Sequence, residues 1–187
     1  MKKALLLFFV CTISLCWSQL EDAELDSLKK QWTIELKQQI VELGIGEEDH
    51  EGWSGFSDSI YSMYAKDTFL LNNTWTFQAD ADQTTFGMAR AAYDCETGYD
   101  LLLNKYYGLL MNKLDKDDQT LLKTSQRNWI KFRDSERMLS QKLTDPRYSG
   151  GGTIQQLIYS SWTVELTRKR VEELVDYLMR IWNEEGE

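Results

Sequence analysis

The stretch LLKTSQRNWIKFRDSERMLSQKL, residues 121–143, decides the fold. Leu122, Trp129, Glu136 and Leu143 stand seven residues apart, and so do Ser125, Phe132 and Leu139. Charged and amide side chains fill the positions between, with no proline or glycine. A heptad recurrence without a breaker predicts one long amphipathic helix packed on other helices. Before it, Asp115-Lys116-Asp117-Asp118 reads as a turn, with Asp117 or Asp118 as the N-cap. After it, Thr144–Gly152 breaks the pattern through Asp145-Pro146 and Gly150-Gly151-Gly152.

The same pattern continues on both sides. A helix from Thr153 to about Asn183 carries two rows. One is Ile154, Ser161, Arg168, Val175 and Trp182; the other is Leu157, Val164, Val171 and Leu178. Upstream, Asp82 is the expected N-cap of a helix running to about Leu114. Leu103, Tyr106, Tyr107, Leu110 and Leu114 lie on one of its faces. Three long helices with short connections predict an all-α fold, an antiparallel three-helix bundle over residues 84–187.

Residues 19–83 form an additional, mainly helical N-terminal segment. Leu25, Leu28, Trp32 and Leu36 place a helix over Glu21–Leu43, stopped by Gly44-Ile45-Gly46. Residues 44–57 read as an acidic, glycine-rich loop with Glu47, Glu48, Asp49, Glu51 and Trp53. Ser57 or Asp58 caps a shorter segment carrying Ile60, Met63 and Tyr64. Thr68–Phe77 is ambiguous. Asn72-Asn73 suggests a turn, and Thr74-Trp75-Thr76-Phe77 a short strand or extended piece.

The first eighteen residues read as a secretory signal. Lys2 and Lys3 supply the positive start, Ala4–Ser14 the apolar run, and Cys16 and Ser18, on either side of Trp17, the two small side chains before cleavage. A membrane anchor and a lipidated Cys16 are the alternatives. The apolar run is short for a span, and Leu15 is bulky for a lipidation signal. The expectation is an exported protein, periplasmic or secreted, with no membrane span after cleavage.

Composition narrows the partners. The 187 residues carry 21 Lys plus Arg against 30 Asp plus Glu, a formal charge of −9. Cleavage after Ser18 leaves −11 over 169 residues. Such a chain repels phosphate backbones, which argues against nucleic acid and for a basic partner. Cleavage also removes Cys11 and Cys16 and leaves Cys95. An exported chain with one cysteine has no internal disulfide. Cys95 is then either buried and inert or free to pair between molecules.

Catalytic constellations are thin. His50 is the single histidine, and it sits in the acidic loop. Ser54, in Gly52-Trp53-Ser54-Gly55-Phe56, lacks the second glycine of a nucleophile elbow. One histidine and one remaining cysteine do not make a zinc site. Asp115, Asp117 and Gln119 resemble the start of a calcium loop, but Thr120 stands where glycine is needed and Gln126 where a bidentate Glu is needed. No catalytic, metal-binding or cofactor-binding residue is assigned, and the reading is of a non-enzyme.

Three stretches form a constellation. They are Asp100-Leu101-Leu102-Leu103-Asn104-Lys105-Tyr106-Tyr107; Leu122 to Asp134 with Gln126, Trp129 and Arg133; and Gly151-Gly152-Thr153 followed by Thr167, Arg170 and Leu174. Together they resemble the LprI-like family, the lysozyme inhibitor LprI N-terminal domain, over about residues 84–182. The matching site positions are Asn104, Tyr107, Gln126, Trp129, Arg133, Asp134, Gly151, Gly152 and Arg170. The resemblance also implies family cysteines where this chain has Ala91, Arg137 and Trp162, with Cys95 off register.

Read physically, Gln126, Trp129 and Arg133 share one helical stripe. Asn104 and Arg170 from the flanking helices are expected to complete a polar layer that sets helix register. A ligand-binding patch is the other reading of the same residues. The resemblance implies an exported binding protein directed at lysozyme; the acidic charge suits a basic one, and loop 44–57 or Tyr148 is the candidate to occlude its cleft. The alternative is a structural or interaction module of the cell envelope with no enzyme target.

Overall fold

A computed structural model describes residues 22–35, 38 and 55–181, with the backbone alone given for 55–58. The signal reading, residues 44–54 of the expected loop 44–57, His50 and Trp182 lie outside the described residues, while residues 55–57 of that loop belong to a helix. The chain divides into two compact units, Met1–Leu43 and Gly44–Glu187. In the first, residues 22–35 form helix α1, as their periodicity predicts. In the second follow α2 (Gly55–Ala81), α3 (Thr85–Lys113), α4 (Lys116–Leu143), α5 (Pro146–Ser149) and α6 (Ile154–Arg180). The fold is all-α, and no strand occurs among the described residues.

Helix α2 is unbroken through Thr74–Phe77, where a turn and a short strand were the alternatives. The polar side chains fold back onto their own helix instead of terminating it. Thr68, Thr74 and Thr76 donate their hydroxyls to the carbonyls of Tyr64, Leu70 and Asn72, and Asn73 donates to that of Phe69, all within 3.0 Å. Asn72 serves a tertiary contact: Tyr99 on α3 donates to its Oδ1 at 2.9 Å. Leu71 and Trp75 pack against the common core, so burial overrides local propensity here.

Two caps differ from expectation by a few residues. Thr84, not Asp82, caps α3: its Oγ1 accepts from the Gly87 N–H at 3.0 Å. Asp82 supports that cap by accepting from both the N–H and the hydroxyl of Thr84, which lowers its pKa. Asp115, not Asp117 or Asp118, caps α4. It accepts from the N–H groups of both, which places their carboxylates in the first turn. The connector closes by proline at the start and glycine at the end. Asp145 caps the short α5, Pro146 follows at its first turn, and Gly150 ends it at φ 77°.

The core lies between α3 and α6, with α2 packed on both. Ala92, Cys95, Tyr99, Leu103, Tyr106 and Leu110 of α3 meet Val164, Val171, Leu174, Val175 and Leu178 of α6. The row Leu157, Val164, Val171, Leu178 thus faces inward for its last three members. Ile60 of α2 is buried in the same core. Bonds from Asn72 to Tyr99 and from Asp67 to Tyr106 run α2 antiparallel to α3. Arg133 to Asp100 and Arg137 to Glu96 do the same for α4 and α3.

Helix α4 sits differently. Leu122 alone of its residues is buried, and Phe132, Leu139 and Leu143 of its predicted heptad rows are about half exposed. Its backbone touches α6 more than α3. What fastens it is a layer of arginines.

Candidate functional site

Arg170 projects from α6 and is 5% exposed, the one buried arginine among the described residues. Burying a guanidinium is tolerable only when its donors are met. Nε donates to Gln126 Oε1 at 3.1 Å, Nη2 to Ser125 Oγ at 3.1 Å, and Nη1 to Glu173 Oε2 at 2.7 Å. Its guanidinium carbon also lies 6.0 Å from the ring centre of Trp129. Arg133 approaches the same indole at 5.3 Å. Arg133 in turn pairs with Asp134 at 2.9 Å and with Asp100 of α3 at 3.4 Å. One indole is therefore flanked by two arginines from two helices.

The predicted layer is present in large part. Gln126, Trp129, Arg133, Asp134 and Arg170 come together. Asn104 does not join them: it is exposed and donates to the carbonyl of Asp100 on its own helix at 2.9 Å. The spacing of four residues to a helical carbonyl captures it before Arg170 does. Gly151 and Gly152 lie in the connector beyond α4, with φ of 85° and 95°, and make no bond to the layer. Ser125 stands in the sequence only as a heptad-row member, and Glu173 carries no motif position. Glu173 carries a signal, since it stands three residues after Arg170 on one helix face.

A groove of about 540 Å³ opens beside this layer, between α3 and α4. Leu103, Asn104, Tyr107, Gln126 and Arg133 line it, so motif residues from two helices face one concavity. Asp100, Lys123, Arg127 and Ile130 complete the wall.

Nearer the connector, Arg137 ion-pairs with Glu96 of α3 and donates to Thr167 Oγ1 at 3.5 Å. Its Nε is buried without a partner, and desolvation lowers its pKa. Arg137 thus fastens α4 to α3 at a position where the resemblance implies a cysteine. Cys95 is buried and unpaired, and burial pushes its thiol up to about 12. That matches the inert reading rather than the intermolecular one.

No group of three or more His, Cys, Asp or Glu side chains suited to a metal ion occurs among the described residues. No described helix is long and apolar enough to cross a membrane.

The helices and their arginine–indole layer define an all-α bundle protein with a motif-lined groove. The family model for lysozyme inhibitor LprI matches residues 77–174, and the chain belongs to that family. The match begins inside α2, upstream of the motif-based span. No curated protein and no solved structure matches the chain.

Proposed function

We propose that this protein is an exported, non-catalytic inhibitor that binds a basic lysozyme and blocks its cleft. The observation that carries the reading is the LprI family match over residues 77–174, which includes every side chain of the arginine–indole layer. Charge supports it: a chain of −9 attracts a basic enzyme over the Debye length and raises the encounter rate. Tyr148, on the connector and 61% exposed, is available to enter a cleft. The acidic stretch 44–57, read from the sequence as a loop, is the other contact candidate.

The test is a titration of purified protein into a lysozyme cell-wall clearing assay at physiological salt. Clearing should fall as protein reaches micromolar concentration, and Tyr148→Ala should weaken the effect. Full clearing at micromolar protein would sink the reading.

A second reading, an envelope interaction module without an enzyme target, has its own support. Phe132, Leu139 and Leu143 of α4 and Ile154 and Ile158 of α6 are about half exposed. Capture of an envelope protein lost on Phe132→Ser with Leu139→Ser, alongside full clearing, favours it.

A further inference from the structure

We propose that the groove between α3 and α4 binds a peptide through a carboxylate, with Lys123 and Arg127 holding the charge and Gln126 and Asn104 engaging the adjoining backbone. The inference goes beyond the inhibitor reading and stands whether or not lysozyme is the target.

The charge argument comes first. Lys123, Arg127 and Arg133 line this groove against one carboxylate, Asp100. Arg133 is committed to Asp100 and Asp134. Lys123 and Arg127 pair with no carboxylate among the described residues. The two cations stand one helical turn apart in the wall of the concavity, with no neutralising partner among those residues. They attract an anion, and the guanidinium of Arg127 fits a carboxylate in bidentate fashion.

The amides argue for a peptide rather than a bare anion. Arg170, nearly buried, takes the Oε1 of Gln126 at 3.1 Å and so leaves its amide nitrogen as the group free to donate. Asn104 spends its Nδ2 on the Asp100 carbonyl, leaving Oδ1 free to accept. The groove thus offers one oriented donor and one oriented acceptor, the complement of a peptide C=O and N–H. An inorganic phosphate supplies no C=O and N–H pair in the peptide arrangement. Leu103 and Ile130 supply apolar wall for a side chain, and about 540 Å³ accommodates a few residues.

The carboxylate has two sources, a chain terminus or an acidic side chain. An NMR titration of the ¹⁵N-labelled protein distinguishes them by following the side-chain amides of Gln126 and Asn104. The probes are acetyl-Ala-Ala-Ala with a free C-terminus, acetyl-Ala-Glu-Ala-amide, acetyl-Ala-Ala-Ala-amide and inorganic phosphate. Saturable shifts with the first probe assign a terminal carboxylate, and with the second an acidic segment. The neutral peptide should bind at least about tenfold more weakly. The double variant Lys123→Gln with Arg127→Gln should lose about tenfold, while Arg147→Gln in the connector should bind as the parent does. Both altered positions are exposed, so the fold is retained. No saturable shift with either carboxylate peptide, equal binding of phosphate, or an undiminished double variant would each overturn the proposal.

Discussion

Arg170 on α6 donates its Nε proton to Oε1 of Gln126 on α4 across 3.1 Å, with the arginine only 5% exposed. The bond matters because α4 has little apolar surface in the core, Leu122 being its one buried residue. An amphipathic helix normally docks by an apolar stripe. Here a guanidinium with three acceptors and an indole does much of that work, and it fixes register as well, since its fork accepts one arrangement of partners.

Arg170→Met should therefore destabilise the protein by about 2 kcal/mol, the cost of removing a buried, well-bonded charged donor. For a chain of this length that lowers Tm by roughly 4–8 °C. Arg170→Lys should recover little, because one ammonium cannot reach Gln126, Ser125 and Glu173 together. Thermal unfolding followed by circular dichroism measures both; a loss under about 0.5 kcal/mol for Arg170→Met would show that α4 is held by other means.

Two glycines of α3 should respond in opposite directions. A Cβ on Gly98 would collide with Leu71 Cδ1, so α2 must shift or Leu71 must change rotamer. Gly98→Ala should cost about 1–2 kcal/mol. A Cβ on Gly108 meets nothing within 4 Å. Gly108→Ala should add about 0.5–1 kcal/mol through helix propensity. Urea unfolding of the pair reads both signs, and equal effects would contradict the packing of α2 on α3.

Tyr106 is fully buried and donates its hydroxyl to Asp67 Oδ2 at 2.8 Å; desolvation, and then this bond, raise its pKa. Asp67 also pairs with Lys105. Asp67→Ala should cost about 1–3 kcal/mol, since it strands a buried hydroxyl. Adding Tyr106→Phe removes the stranded group, so the double variant should be about 1 kcal/mol more stable than additivity predicts. Strict additivity in denaturant unfolding would show that the hydroxyl has another acceptor.

Stability should fall in alkali. Burial pushes both the Cys95 thiol and the Tyr99 phenol up to about 12, from ordinary values of 9.0 and 10.0. Between those limits the unfolded chain binds fewer protons than the folded one, so unfolding becomes easier as pH rises. The stabilisation is fully present below about pH 9 and is lost toward pH 12. Tm should be flat from about pH 7 to 8.5 and then decline. A thiol reagent at pH 8 should leave Cys95 unmodified until denaturant is added; prompt modification of the native protein would contradict its burial.

Much of the fold was legible in the chain. The heptad rows of 121–143 and 154–182 predict long helices, and the Asp145-Pro146 and triple-glycine connector predicts where one ends and the next begins. Local signals failed where tertiary contacts outweigh them. Asn72-Asn73 carries turn chemistry, yet Asn72 accepts from Tyr99 and the helix continues. The heptad rows of α4 promised an inward face, but Phe132 and Leu139 look outward. Periodicity reports which residues share a stripe, not which stripe a neighbour covers.

The candidate site divides in the same way. Gln126, Trp129 and Arg133 share a face by helical spacing alone, and the motif stretches mark Arg170 as their partner. The sequence by itself determined the helical class, the acidic charge, the LprI resemblance and that shared face, because each depends on local spacing or on composition. Only the tertiary structure decided that Asn104 turns back to its own helix, that Arg137 pairs with Glu96, and that Lys123 and Arg127 stand unpaired beside a groove. Those outcomes depend on how far apart two helices settle, a distance set by side chains remote in sequence.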